Sequence, residues 1–223
     1  MHVDYVLQRK NMVESQVRPS DVTDRRIIRA MLEVPREVFL PADRRSVAYM
    51  DENVPLATAG QKAARWLMAP RTLAKLIQLL EIGDRDVVLD VGGGSGYSAA
   101  ILSKIAQTVV AVESDAAVVT RAGEALAESG IDNVAVITGD LTRGYPSEGP
   151  YDAILIAGAV SDVPASLLDQ LKDGGRLATV VTADGVGRAT VWRRIGGHFD
   201  RRTAFEAGLP VLPGFEKAPA FVF

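Results

Sequence analysis

Cysteine is absent from the 223 residues, which excludes disulfides, thiolate nucleophiles and zinc–thiolate sites. Histidine is nearly absent too: His2 and His198 are too few and too far apart for a ligand set, and no metal site is expected. Aromatic residues make up 6% of the chain. Neither sign of charge dominates, since 25 basic residues face 28 acidic ones for a net charge of −3. The arginine pairs Arg25-Arg26, Arg44-Arg45, Arg193-Arg194 and Arg201-Arg202 carry no aromatic interleaving, so they read as solvated faces and no nucleic-acid partner is expected. No stretch approaches the roughly 18 uninterrupted apolar residues of a membrane span. Met1 to Lys10 shows neither a basic leader nor an apolar run. A soluble, cytoplasmic protein with no membrane partner is the expectation.

What is present is concentrated in Val87-Val88-Leu89-Asp90-Val91-Gly92-Gly93-Gly94-Ser95-Gly96-Tyr97. An apolar strand runs through an acid into glycines that open a helix, as nucleotide-type sites require at the carboxyl end of a first parallel strand. A glycine-rich turn can serve folding alone, and Gly94-x-Gly96-x-x-Ala99 also satisfies the dinucleotide fingerprint. Asp90 discriminates between the ligands. An acid two residues ahead of the loop would repel a pyrophosphate but favour a ligand with an ammonium, a sulfonium and no phosphate, which is S-adenosylmethionine.

Two further acids agree with that choice. Thr108 to Val112 reads as a second strand ending at Glu113, 23 residues beyond Asp90, where a carboxylate can take both ribose hydroxyls. Val134 to Ile137 reads as a third, ending in Gly139-Asp140 and offering a carboxylate for the adenine amino group.

The surrounding pattern predicts an α/β fold, a doubly wound, mostly parallel, Rossmann-like sheet with an N-terminal helical extension and a C-terminal antiparallel hairpin. Helices are expected at Thr23 to Glu33, Thr72 to Leu80, Ser98 to Lys104 and Asp115 to Glu128, the last capped by Asp115 and stopped by Gly130. Strand four is Tyr151 to Ala157. Pro164 is expected to open a helix with Leu167, Leu168 and Leu171 on one stripe, and Asp173-Gly174-Gly175 to turn the chain into strand five at Arg176 to Val181. Ala189 to Arg194 and His198 to Ala204, joined across Gly196-Gly197, read as the hairpin. With 48% apolar residues the chain can cover both faces of the sheet. One domain spanning 1–223 is expected, residues 1–82 forming a helical substrate cover and 83–223 the cofactor-binding core.

These residues resemble one known family, the protein-L-isoaspartate O-methyltransferases, over nearly the whole chain. The resemblance rests on Met12-Val13-Glu14-Ser15-Gln16-Val17-Arg18, Val34-Pro35-Arg36-Glu37-Val38-Phe39-Leu40-Pro41 and Ala48-Tyr49-Met50-Asp51. It continues through the glycine loop, Tyr151-Asp152-Ala153-Ile154 and Leu171-Lys172-Asp173-Gly174-Gly175-Arg176-Leu177. It implies methyl transfer from S-adenosylmethionine to the free carboxylate of isoaspartyl residues in damaged proteins, without a metal. Asp90, Gly92, Gly94, Ser95 and Gly96 would line the methionine end, Glu113 the ribose, and Asp140 with Leu141 the adenine.

The chain departs from the family where a Gly-Gln pair leads into Thr-Ile-Ser-x-Pro. Here Gly60-Gln61 runs through Lys62-Ala63-Ala64-Arg65-Trp66-Leu67-Met68-Ala69 to Pro70. Met68 takes the serine position, Trp66 the threonine position, and no hydroxyl lies between Thr58 and Thr72. Leu141 stands where the family has glycine. A carboxylate acceptor is already an anion at neutral pH, so a hydroxyl there can only position or polarise. Thr58, Gln61, Arg65, Trp66 and Met68 are the candidate substrate-cover residues, and Arg65 is the candidate for holding an acceptor carboxylate. A same-fold methyltransferase with another acceptor, or a silent cofactor-binding protein, stays open at this point. Other acceptors fit less well. The run Ile156-Ala157-Gly158-Ala159 lacks the prolyl-aromatic loop of base amino-methylation, cytosine C5 methylation needs a cysteine, and Asp162 with distant Asp169 makes a poor metal cluster. Oligomeric state is not legible.

Overall fold

The computed structural model describes residues 4–57 and 65–217. Its N-terminal part is helical: α1 (Tyr5–Met12), continued by π- and 3-10-type turns to Ser20, and α2 (Arg25–Glu33). Asp24 caps α2 by accepting from the Arg26 backbone N–H. A two-residue ribbon, β1 (Val54–Pro55) with β2 (Trp66–Leu67), leads into α3 (Pro70–Leu79). Proline at its first position starts α3 without wasting a donor.

The α/β core then alternates β3 (Val87–Val91), α4 (Tyr97–Ser103), β4 (Thr108–Glu113), α5 (Ala116–Glu128), β5 (Val134–Thr138), β6 (Tyr151–Val160), α6 (Ala165–Leu168) and β7 (Leu171–Ala183). Asp115 caps α5, its carboxylate accepting from the Ala117 and Val118 N–H groups. The antiparallel pair β8 (Val186–Ile195) and β9 (His198–Glu206) follows. The sheet order is β5-β4-β3-β6-β7-β8-β9, with β5 through β7 parallel. Strand order therefore reverses between β3 and β6, the switch point beyond which open α/β sheets place their ligands.

Side-chain alternation splits the core between the two faces of the sheet. Val88, Ala153 and Leu155 point into one cluster with α3, α4 and the N-terminal helices, whose Met12, Ile27 and Met31 join it. Leu89, Val91, Ile154 and Ile156 point into the other, closed by Leu167, Trp192 and Leu212.

Two sequence expectations are corrected here. The helix after Pro164 is only Ala165–Leu168, and Leu171 begins β7 opposite Tyr151 instead of sharing a helical stripe. β7 also runs through Asp173-Gly174-Gly175. The irregular register there is permitted by Gly175, where a Cβ would stand 2.9 Å from the Lys172 carbonyl and 3.1 Å from that of Tyr151.

The N-terminal segment is tied to the core by a buried guanidinium. Arg36 is fully buried; its Nε donates to the Ala48 carbonyl at 2.6 Å and its Nη2 to the Met68 carbonyl at 2.7 Å. Its plane lies 4.8 Å from the centroid of Tyr97, the first residue of α4. One cation thus joins the segment before β1, the segment before α3 and the helix behind the glycine turn. Arg36→Met should lose roughly 2–4 kcal/mol, because two buried carbonyls are left without donors. Urea unfolding should show a lower midpoint at unchanged slope; a loss under about 1 kcal/mol would contradict the bridging role.

Candidate active site

β3 delivers its acid to the switch point and then turns sharply. Gly92, Gly94 and Gly96 all have positive φ, at 72°, 61° and 89°, and the Gly92 N–H donates to the Val112 carbonyl of β4. Gly93 is constrained differently. A Cβ there would lie 2.5 Å from Asp90 Oδ2 and 2.6 Å from Ser98 Oγ, the two atoms of a 2.6 Å hydrogen bond in which Ser98 is the donor. Asp90 and α4 can therefore meet only across a residue without a side chain.

Asp90 is fully buried. Its Oδ2 is satisfied by Ser98, but Oδ1 finds no hydrogen-bond partner among the described residues. Desolvation pushes its carboxyl up to about 7, against the Ser98 hydrogen bond that favours the anion and with the Glu113 charge adding to the rise. A buried, half-satisfied carboxylate calls for a ligand. The Ser95 hydroxyl, in the turn itself, is likewise buried without a partner among the described residues. These atoms suit a ligand end that carries an ammonium.

Glu113 closes β4 beside Asp90's strand and is also buried. It is already engaged: Arg65 Nε lies 2.9 and 2.7 Å from its two carboxylate oxygens, and Arg65 Nη2 donates to Ser114 Oγ at 2.8 Å. Arg65 itself is 6% exposed. Its stem and Leu56 stand over the turn, for a Cβ at Gly94 would lie 3.4 Å from Arg65 Cβ and 2.6 Å from Leu56 Cδ1.

Asp140 lies just past β5 and is exposed. Its Oδ1 accepts from the Thr142 hydroxyl at 2.7 Å and the Thr142 N–H at 2.9 Å, and the Thr142 hydroxyl, then its backbone, hold the carboxyl below the usual range. Leu141 is buried, with Cδ1 3.5 Å from where a Gly92 Cβ would stand. It forms an apolar wall with Leu212, whose Cδ1 is 2.8 Å from that same point and whose side chain fills the place of a Gly158 Cβ.

The candidate cover residues separate. Thr58 and Gln61 lie outside the described residues. Met68 is 4% exposed and belongs to the core cluster of the N-terminal helices, so it offers the site only a carbonyl, and Arg36 holds that. Trp66 lines a cavity of about 710 Å3 with Asn53, Arg71, Lys75, Phe205 and Pro210. Arg65, one residue earlier, faces the cofactor turn instead. Gly93, Ser98, Ser114 and Leu212 complete the site without having been singled out in the sequence. Only Gly93 carried a local signal, its place inside the glycine run.

The sheet order, the glycine turn at its switch point and the acids of β3 and β4 define an S-adenosylmethionine-dependent methyltransferase. The family model described as Protein-L-isoaspartate(D-aspartate) O-methyltransferase (PCMT) matches residues 7–205. A protein-L-isoaspartate O-methyltransferase of Rhodopseudomonas palustris is 44% identical over 173 residues, 78% of this chain and 77% of its own. One of Methanoculleus marisnigri is 41% identical over 174 residues, again 78% and 77%. A solved protein-L-isoaspartate O-methyltransferase structure superposes with a TM-score of 0.82 at 27% identity, covering 92% of this chain and 66% of that one. The chain belongs to the protein-L-isoaspartate O-methyltransferase family. A solved structure of a Plasmodium falciparum protein, described as a putative protein-L-isoaspartate O-methyltransferase in complex with S-adenosyl-L-homocysteine, shares the fold, at 20% identity and a TM-score of 0.74 over 95% of this chain and 99% of that one.

Because Asp90 holds its proton up to about pH 7 in the empty protein, affinity for S-adenosylhomocysteine should rise from pH 6 to pH 8 and then level. Stability of the empty protein should fall over the same carboxyl's range, from about pH 4 to 7, because the unfolded chain has already lost that proton while the native one keeps it. Asp90→Asn should abolish both slopes and weaken binding roughly 10- to 100-fold, the loss of one charge-assisted hydrogen bond. Calorimetric titration across pH checks this; an unchanged affinity in the variant would contradict the assignment.

Proposed function

We propose that this chain methylates the free carboxylate of isoaspartyl residues in damaged proteins, with Asp90, the 92–96 turn, Glu113, Asp140 and Leu141 forming its cofactor site. The observation that carries the reading is the half-satisfied, buried Asp90 carboxylate beside a glycine turn, in a chain of this family. S-adenosylmethionine, when bound, supplies a methyl group activated by its positively charged sulfur.

The chain's own residues supply binding and orientation. Asp90, held by Ser98, presents an acceptor oxygen for an ammonium. Glu113 presents a carboxylate for ribose hydroxyls, and Asp140, oriented by Thr142, one for an amino group at the sheet edge. Leu141 and Leu212 give the site an apolar wall against Gly92, which keeps water from competing with the acceptor. No general base is required, because a carboxylate acceptor is ionised at neutral pH. Alignment and water exclusion then carry the rate. That demand is consistent with a site in which the position of Met68 provides no hydroxyl.

Radiolabelled methyl transfer should occur to an isoaspartyl peptide and fall at least about 100-fold, or vanish, on its normal aspartyl twin, which presents its carboxylate one methylene further from the main chain. Tight S-adenosylhomocysteine binding with no transfer to the isoaspartyl peptide would overturn the acceptor and leave the cofactor site standing.

A further inference from the structure

Glu113 cannot serve a ribose and Arg65 in the same way at once. Arg65 Nε contacts both of its carboxylate oxygens, at 2.9 and 2.7 Å, and the Ser114 N–H approaches Oε1 at 3.3 Å. Two ribose hydroxyls would compete for the same lone pairs. Competition extends to space, since the Arg65 stem and Leu56 stand over Gly94 on the open side of the turn. The pair is nearly dry, 6% and 3% exposed, so a guanidinium displaced from it must find another anion or water.

The local backbone says where that anion would come from. Arg65 is anchored through its carbonyl, which accepts from the Leu56 N–H at 3.0 Å, and with Leu56, Ala57 and Ser95 it lines a cavity of about 500 Å3. Arg65 therefore stands between Glu113 and an open space beside the cofactor turn, into which Arg45 and Arg121 as well as Asp115, Glu124 and Glu128 also face. The acceptor is a carboxylate, and a guanidinium fork binds carboxylates in two parallel hydrogen bonds.

We propose that Arg65 is a positioning residue that exchanges partners: Glu113 holds it in the empty protein, cofactor binding takes Glu113 over, and Arg65 then receives the acceptor's carboxylate. This rests on the isoaspartyl reading above for the identity of the acceptor. The exchange makes cofactor and acceptor bind cooperatively, and by linkage the coupling is reciprocal. Once the carboxylate is an ester its charge is gone, and its hold on Arg65 weakens.

The test is calorimetric titration of the full chain with S-adenosylhomocysteine and with an isoaspartyl hexapeptide, each alone and in the presence of the other. Wild type should bind the peptide at least tenfold more tightly when saturated with S-adenosylhomocysteine. Glu113→Gln, which loosens the pair, should bind the peptide without it. Arg65→Met should bind S-adenosylhomocysteine at least threefold more tightly than wild type and lose the coupling. Arg65→Lys, which keeps the charge and guards against a folding failure, should show the same signs at smaller amplitude. Peptide affinity indifferent to S-adenosylhomocysteine, or weaker S-adenosylhomocysteine binding by both Arg65 variants, would overturn the exchange. If no isoaspartyl peptide binds wild type under any condition while Arg65→Met still binds S-adenosylhomocysteine more tightly, it is the acceptor assignment that fails.

Discussion

A carboxylate without solvent, in the middle of a parallel sheet, sets the terms for everything around it. Asp90 sits on β3, flanked by β4 and β6, and transfer of such an anion from water is costly unless it is hydrogen-bonded or paired. The Ser98 hydroxyl donates to one oxygen, and even that needs Gly93 to have no side chain. The remaining deficit raises the carboxyl's proton affinity. A fold organised for stability alone would place an apolar residue there, as it does at Val88, Leu89 and Val91 on the same strand. The deficit is thus a local weakness kept where a cationic ligand can relieve it.

Two arginines from the N-terminal segment show contrasting uses of the same group. Arg36 donates to main-chain carbonyls and lies over Tyr97; those partners do not leave, and burial lowers its proton affinity. It fixes the N-terminal segment on the helix behind the glycine turn. Arg65 instead pairs with Glu113, the acid proposed for the ribose. Under the proposed exchange, a permanent clamp and an exchangeable one on the same segment leave it rigid where it meets the core and responsive where it meets the site.

Legibility in the sequence followed the range of the interaction. Strands β3, β4 and β6 were readable because burial on both faces makes them continuous apolar runs, and the β8–β9 hairpin because Gly196-Gly197 supplies two positive φ values in a row. The acids of β3, β4 and the β5 loop were visible as strand-terminal charges. The short α6 and the early start of β7 were misread because Leu167, Leu168 and Leu171 fit a helical stripe, while tertiary pairing of Leu171 with Tyr151 decides otherwise. Met68 could be placed at the serine position by spacing, yet only the fold shows that it points into the core. Contacts such as Arg65 with Glu113 or Leu212 with Gly92 span more of the chain than any local pattern can encode.

The central claim is that ligand binding ionises Asp90, and proton release measures this directly. Titration of S-adenosylhomocysteine at pH 6, in buffers of different ionisation enthalpy, should report release of close to one proton per ligand bound, declining toward none by pH 8. No release at pH 6, or a release that persists in the Asp90→Asn variant, would contradict the account.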